Sequence, residues 1–381
     1  MREKKMVRVA VVTAANPYRD IRAIKFATSL KKLGYDPYII GGYSQEKDIF
    51  DVGVPIFTYG IKYNDQANRI KKTVYKLKFK KFIKEVLKKN MPIIIHACNV
   101  DMLYSVKRYE KKGISLIYDS YEICAHKTGF TSNRIIGLIV EKIEKSLLKR
   151  IHWMICVSNS AEKYFVEKYK INNISTITNS PIVKNAIIKK EKNQPLNALY
   201  IGGYSYGRGI EEYIESGKYI DPSKCKITLR AFGAGEDKFK SIVSQNKLEN
   251  VVEFLPILNP TEIIESISRT ADIGVVLTKA TCLNHKLTVS NKIFDYINAG
   301  IPVIMSNVDE HIFLNNKYHF GIVLDEISPK KIGEAINSLV TDESLYEELS
   351  NNCLIAAKTL NWENQEGIIK RIYDEAVKNG N

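Results

Sequence analysis

Short β-branched runs alternate with longer amphipathic stretches along this chain, and the alternation starts again after the polar segment 184–195. Six apparent strands precede that segment, from VRVAVVTA at 7–14 to ISTIT at 174–178. Six more follow it, from LNALYIGG at 196–203 to FGIVL at 320–324. Apolar strands joined by crossover helices are typical of parallel sheets that are buried on both faces. The pattern therefore predicts an α/β fold with two doubly wound, Rossmann-like domains.

The net charge of +15 is concentrated in residues 69–89, which hold ten Lys or Arg against the single Glu85. Three interpretations stay open: the solvated face of a packed helix, a helix lying on anionic lipid headgroups, and a nucleic-acid-binding segment. No apolar run approaches the roughly 20 residues that span a membrane, and the basic start lacks a signal-peptide pattern. Scattered cysteines without a C-x-x-C pair indicate reduced core thiols, and the histidines lack zinc-ligand spacing. We expect a cytoplasmic protein without a metal.

The loops after the strands' carboxyl ends are where a doubly wound sheet binds its ligand. In the second half of the chain these loops are rich in Gly, Asn, Ser and isolated cations, which suits an anion held by backbone amides. In the first half they hold most of the candidate acids and bases. We expect a phosphate-bearing donor on the second domain and a reacting hydroxyl on the first.

The segment SNKIFDYINAGIPVI, residues 290–304, predicts a helix that begins at Ser290 or Asn291 and ends near a glycine. Lys292 and Asp295 lie three residues apart, so both project from one side of the first turns, where free amides favour an anion. The alternative is a surface ion pair beside a capped helix.

Several segments, in their order, resemble the GT-B glycosyltransferases, specifically the family-4-like retaining enzymes. The segments that carry the resemblance are HACNVDMLYSVKRYEKKGISLIYDSYEI, ICVSNSAEKYFVEKY, TITNSP, YIGGYSYGRGIEEYI, SNKIFDYINAGIPVI and the closing LNWENQEGIIKRIYDEAV. The resemblance implies the GT-B fold with an interdomain cleft. It implies an N-terminal acceptor-side domain at 1–185, a nucleotide-sugar-binding domain at 186–362, and a helix at 363–381 that crosses back to the first domain.

The resemblance implies transfer of a hexosyl or related sugar from a nucleotide-diphospho-sugar, with a UDP-sugar favoured, to a glycan or lipid-linked acceptor. Transfer would proceed with retention, without a metal or other cofactor, in cell-surface polysaccharide or glycolipid synthesis. The protein would be peripheral at the inner face of the cell membrane, docked through residues 69–89, and would not bind nucleic acid. Two alternatives stay open: a UDP-sugar epimerase of the same fold, and a non-catalytic homologue.

The resemblance also assigns residues. On the donor side, Arg208 and Lys292 reach the diphosphate and Asp295 the ribose. The other donor-side positions are Gly202, Gly203, Gly233, Leu283, Asn284, Ser290 and Asn291. On the acceptor side, the catalytic candidates are Asp119, Glu122 and Tyr121, and His96 is a further substrate contact. Arg19 and Arg22 lie in AANPYRDIR, which replaces the family's glycine-rich first loop, and are candidates for contact with phosphate or acceptor. For Asp119 and Glu122 the alternative is a capping role, and for His96 a structural one.

Two positions depart from the family pattern. Many members carry two glutamates eight residues apart, whereas this chain has Leu287 and Asp295 there. Tyr121 stands where the family has a histidine. These changes bear on which donor sugar is accepted.

Overall fold

The computed structural model describes residues 6–45, 51–64, 66–127, 134–183, 192–205, 207–233, 235–257 and 263–378. The chain divides into two compact units, Met1–Ile177 with Gln365–Asn381, and Thr178–Asn364. Most of the predicted linker, residues 184–191, lies outside the described residues.

The first unit contains a seven-stranded parallel sheet in the order β3-β2-β1-β4-β5-β6-β7. Its strands are β1 (Arg8–Val12), β2 (Asp36–Gly41), β3 (Ile56–Thr58), β4 (Ile94–Cys98), β5 (Ser115–Ser120), β6 (Trp153–Cys156) and β7 (Ile174–Thr176). Its helices are α1 (Ile21–Lys32), α2 (Arg69–Asn90), α3 (Asn99–Val106), α4 (Arg134–Leu148) and α5 (Asn159–Tyr169). The chain order reverses between β1 and β4, which opens a crevice at their carboxyl ends.

The second unit contains a six-stranded parallel sheet in the order β10-β9-β8-β11-β12-β13. Its strands are β8 (Leu196–Gly203), β9 (Cys225–Phe232), β10 (Val252–Phe254), β11 (Ile273–Val276), β12 (Val303–Ser306) and β13 (Gly321–Leu324). Its helices are α6 (Ile210–Glu215), α7 (Glu236–Gln245), α8 (Ile263–Thr270), α9 (Leu283–Leu287), α10 (Asn291–Asn298), α11 (Asp309–Tyr318), α12 (Pro329–Thr341) and α13 (Glu343–Ala357). Here the reversal falls between β8 and β11.

The second sheet is buried on both faces because neighbouring residues of each central strand enter different cores. Tyr200 packs into one hydrophobic cluster and Leu199 and Ile201 into the other. Val275 and Val276 divide between the same two clusters. This explains why the strands are continuous apolar runs without polar alternation, as in other parallel sheets.

The last helix, α14 (Glu366–Lys378), packs into the first unit. Ile369, Ile372 and Tyr373 are fully buried there. Ser115 of β5 donates a hydrogen bond to the carbonyl of Ala376 at 2.6 Å. The helix is therefore part of the core of that unit.

The prediction of two parallel-sheet domains is confirmed, and each of the twelve predicted strands has a counterpart in the structure. The sequence did not predict β3, which has only three residues. All six cysteines are buried, and none of them forms a disulfide bond. None of the helices in the described ranges is long and apolar enough to cross a membrane.

Candidate functional site

Arg208 lies in the loop after β8, between two glycines that adopt left-handed backbone conformations. Gly207 has a φ of 82° and Gly209 a φ of 60°. A β-carbon at Gly209 would lie 2.6 Å from Cβ of Leu277, so only glycine lets the loop pack this closely on the end of β11. Arg208 Nη1 donates a hydrogen bond to Thr278 Oγ1 at 3.3 Å. The guanidinium is thus held where the strand order reverses.

Lys292 lies in the first turn of α10 and reaches back to the end of β8. A β-carbon at Gly202 would lie 2.8 Å from Lys292 Nζ, so the missing side chain of Gly202 makes room for the ammonium group. The same Nζ lies 5.1 Å from the ring centroid of Tyr200, within cation–π range. The lysine is half-buried in this position.

The electrostatics of this site favour an added anion. The pKa of Lys292 is lowered to about 7, first by burial and then by repulsion from Arg208, while Asp295 opposes the shift. Arg208 therefore lies close enough to destabilise the charge of Lys292. A phosphate beside them would remove that penalty and restore the charge of Lys292.

His311, in the first turns of α11, is a residue of this site that the sequence did not point to. Burial, with the nearby charges of Arg208 and Lys292, lowers its pKa to about 4, so the imidazole is neutral. Its Nδ1 lies 3.0 Å from the carbonyl oxygen of Ser306 and donates to it. The buried Nε2 then carries a lone pair, and it has no hydrogen-bond partner among the described residues.

The helix α10 begins as predicted, with Ser290 at the N-cap and Asn291 as its first residue. The Ser290 side chain makes no capping hydrogen bond within the described part of the chain. The first amides of the helix, at Asn291 and Lys292, are thus left uncapped by a side chain, and Asp295 follows one turn later, half-buried. The N-terminus of α10 retains its partial positive charge for an anion.

The remaining donor-side predictions lie on the loops of the same unit. Gly203 is next to Phe232, whose ring carbon would lie 3.7 Å from a β-carbon at Gly203 and whose side chain is 56% exposed. Gly233 has a φ of 105° with open space at its α-carbon. Leu283 and Asn284 open α9. No sequence pattern singles out Phe232, because an aromatic residue at a strand end is more often part of the core.

The acceptor-side predictions converge on a buried network in the first unit. Arg22 makes two hydrogen bonds of 2.8 Å to Asp119, Nε to Oδ2 and Nη2 to Oδ1. His96 Nε2 lies 3.2 Å from Asp119 Oδ2, and His96 Nδ1 lies 2.5 Å from the Tyr373 hydroxyl. Burial raises the pKa of Asp119, but Arg22 and His96 outweigh that effect and lower it. Asp119 is therefore ionised.

This network orders the end of the sheet. Asp119 is fully buried and both of its oxygens are engaged, whereas Arg22 Nη1 is buried with no hydrogen-bond partner among the described residues. His96 bonds to Asp119 and Tyr373, in line with the structural alternative for a histidine after a buried strand. The catalytic role of Asp119 stays a prediction.

Tyr121, Glu122 and Arg19 lie around the network. The Tyr121 hydroxyl donates to Asp20 Oδ1 at 3.2 Å, and Asp20 also accepts from Thr13 Oγ1 at 2.7 Å. Glu122 forms a half-exposed ion pair with Lys127 at 2.5 Å. Arg19 is exposed and lines a cavity of about 420 Å³ beyond β1 and β2. Among the described residues, no cluster of three or more His, Cys, Asp or Glu side chains is placed to hold a metal ion.

Part of the second unit matches a known protein family. Residues 183–354 match the family described as glycosyl transferases group 1, a range that contains Arg208, Lys292 and His311. No curated protein is similar enough in sequence to match the chain.

The structure is similar to solved structures over nearly its whole length. For sucrose-phosphate synthase from Thermosynechococcus elongatus the TM-score is 0.78 at 15% identity, covering 97% of this chain and 98% of that one. For HepE of Anabaena in complex with UDP and glucose it is 0.70 at 13% identity, covering 98% and 99%. For a UDP-N-acetylglucosamine 2-epimerase, described as putative, from Listeria monocytogenes it is 0.65 at 8% identity, covering 95% and 94%. At these identities the likeness shows the fold alone. The chain has the GT-B fold, and its residues 183–354 are similar to the glycosyl transferases group 1 family.

Proposed function

We propose that this protein is a retaining glycosyltransferase that takes a nucleotide-diphospho-sugar, with a UDP-sugar favoured, as its donor. The second unit binds the donor and the first unit binds a glycan or lipid-linked acceptor. The family match supports glycosyl transfer, and the UDP in the HepE structure supports a uridine donor for a protein of this fold.

One observation carries the donor assignment: Arg208 and Lys292 are held together by the fold although their charges repel. Arg208 donates to the hydroxyl of Thr278, and the proximity of the two cations contributes to the lowered pKa of Lys292. A diphosphate supplies negative charge and acceptor oxygens for both cations and for the amides of α10. Asp295 is then placed to accept hydrogen bonds from the ribose hydroxyls.

The chemistry follows from these contacts. The bond between C1 of the sugar and the β-phosphate oxygen breaks, and its electron pair leaves with the nucleoside diphosphate. Arg208, Lys292 and the helix N-terminus stabilise the charge that develops there. The acceptor oxygen forms the new bond to C1 on the face that the leaving group vacates, and its proton passes to the departing phosphate. Asp119 keeps Arg22 and His96 in place as a positioning residue.

The donor site is tested by calorimetric titration with UDP, GDP, ADP and their common sugar conjugates. Arg208→Ala is expected to weaken UDP binding by about 10- to 100-fold, since a hydrogen bond to a charged group contributes about 1.5–3 kcal/mol. Arg269→Ala is a matched control, because Arg269 is exposed on α8 of the same unit and pairs with Glu265. Equal affinities in the two variants would rule out this donor site.

We propose further that the protein acts at an anionic membrane surface through α2. Most lysines of the predicted basic segment are exposed on this helix. Ile70, Val74 and Leu77 are exposed with them at helical spacing and are 74%, 42% and 63% accessible. An exposed apolar stripe among lysines is typical of a helix that lies in the headgroup layer. This supports docking at an anionic membrane surface. In our proposal that surface is the cytoplasmic face, where the protein acts in surface polysaccharide or glycolipid synthesis.

Sedimentation with vesicles that contain anionic lipid tests the docking. Neutralising four exposed lysines of α2 should release the protein, because each contributes about 1 kcal/mol near an anionic surface. The lysines to change together to Gln are Lys81, Lys84, Lys88 and Lys89. A control variant with the same net charge changes Lys163, Lys238, Lys330 and Lys370. Equal release of both variants would show that only net charge matters and that α2 is not the docking element.

The epimerase alternative is kept because a putative epimerase shares the fold. It predicts that the protein converts a UDP-sugar into its epimer without any acceptor. NMR of a UDP-sugar incubated with the protein alone distinguishes the two: an unchanged donor excludes epimerisation, and a new UDP-sugar excludes the proposal.

A further inference from the structure

Two adjoining cavities of the first unit are not used by the donor site in the second unit. The inner pocket has a volume of about 420 Å³ and lies beyond the carboxyl ends of β1 and β2. The outer groove has a volume of about 290 Å³ and runs between the segment after β3 and the first turns of α2, from Ile61 to Val74. Both are lined by Lys62, Tyr63 and Tyr75, so they form one continuous track.

The inner pocket is polar. It is lined by the guanidinium of Arg19 and the amides of Asn16 and Gln45, which bond well to hydroxyl groups. Tyr43 and Tyr63 add aromatic rings to its walls. Such a lining, at the carboxyl ends of parallel strands, fits a sugar.

Part of the lining of the outer groove is apolar. Ile61, Ile70 and Val74 line it, and all three are exposed to solvent. Ile70 and Val74 are four residues apart on α2, so they lie on one side of the helix. Apolar side chains gathered at an exposed groove mark a site for an apolar ligand or a membrane. An alkyl or isoprenoid chain fits this apolar part of the groove.

Cations lie where the two cavities meet and along the groove. Lys62 lines both cavities, and Lys71, Lys72 and Lys78 line the groove. Among the described residues that line the two cavities, none is acidic. The track therefore joins a pocket with polar side chains to a groove whose lining combines cations with apolar side chains.

We propose that this track binds an acceptor that is a lipid phosphate-linked sugar. The sugar occupies the inner pocket, the phosphate lies at Lys62, and the chain lies in the outer groove against Ile70 and Val74. This rests on the proposed glycosyltransferase function, and it names the acceptor class and the residues that bind it. Ile70 and Val74 belong to both the exposed stripe and the groove, whereas Leu77 belongs to the stripe but does not line the groove.

The test uses farnesyl phosphate, kept below the concentration at which it forms micelles, and measures its binding to the whole protein by calorimetry. Farnesol and inorganic phosphate are the comparison ligands. We expect farnesyl phosphate to bind at least about tenfold more tightly than either, because it engages both the groove and the lysines. Equal binding of farnesol and farnesyl phosphate would refute the phosphate site, and no binding of farnesyl phosphate would refute the track.

Matched variants locate the binding. Val74→Glu places a charge in the groove and should weaken farnesyl phosphate binding at least about tenfold, whereas Leu77→Glu should change it less than about twofold. Lys62→Ala should weaken farnesyl phosphate but not farnesol, with Lys88→Ala as its control. Equal effects of Val74→Glu and Leu77→Glu would refute the groove.

UDP binding, measured as a thermal shift on the same samples, shows that each variant is folded. UDP binding by the wild type without farnesyl phosphate binding would overturn this inference alone. Failure of the wild type to bind UDP would overturn the proposed function.

Discussion

Binding of UDP is predicted to draw a proton from solution onto Lys292. In the free protein the pKa of this lysine is lowered to about 7 by burial and by Arg208. At pH 8 the free lysine is therefore only about one-tenth protonated. A bound diphosphate places negative charge against it and returns the pKa toward its ordinary range, so the bound lysine is charged.

The expected uptake is about 0.9 proton per UDP at pH 8 and about 0.5 at pH 7. At pH 8 the phosphates of UDP are already fully ionised in solution, since a terminal phosphate has a pKa of about 6. The proton therefore enters a protein group. The affinity should fall about fivefold from pH 7 to pH 8, because the proton that binding requires becomes scarcer.

Calorimetry at pH 8 in buffers with different ionisation enthalpies measures the uptake as the slope of binding enthalpy against buffer enthalpy. Lys292→Met removes the titrating group and should lower both the uptake and the affinity. Lys330→Met, an exposed lysine on α12, is the control and should change neither. Wild-type uptake near zero at pH 8, or uptake that persists in Lys292→Met, would refute the reasoning.

Three further predictions concern other groups. Asp119→Asn should cost about 3 kcal/mol in urea unfolding, because it leaves the buried Arg22 charge without its counterion, whereas Glu122→Gln should cost less than about 1 kcal/mol. Burial raises the pKa of Glu144 to about 7, so wild-type stability should fall as pH rises from 4.5 toward 7, and Glu144→Gln should raise the melting temperature at pH 8 but not at pH 4.5. Phe232→Ala should weaken UDP but not pyrophosphate if the exposed ring stacks on the base, worth about 1–3 kcal/mol; equal losses would contradict stacking.

The sequence predicted the two sheets well because their strands are buried on both faces and read as continuous apolar runs. It missed β3, although β7 and β10 are equally short. The three residues of β3 are all only half-buried, whereas β7 and β10 each begin with a buried residue. The start of α10 was predicted because local signals, such as Ser290 before a helical apolar pattern, determine helix ends.

Candidate site residues could be predicted from the sequence, but the residues to which they bond could not. Arg22, His96 and Asp119 were each candidates for substrate contact, yet Arg22 and Asp119 are 97 positions apart and bond to each other. Tyr373, which contacts His96, is 277 positions away from it, and no local pattern marks Tyr373 as a partner. His311 was missed for the same reason, because its environment is created by Arg208 and Lys292 from other loops. Contacts between distant segments depend on topology, which a local pattern does not contain.

The position of α14 affects the order in which the two units fold during synthesis. The second unit is one uninterrupted stretch of chain, whereas the first needs Tyr373 and its neighbours to fill its interior. A ribosome therefore makes most of the first unit early, and that interior cannot close until synthesis has passed Tyr373. The second unit can therefore reach its native state before the first unit does. This reverses the usual order of folding during synthesis.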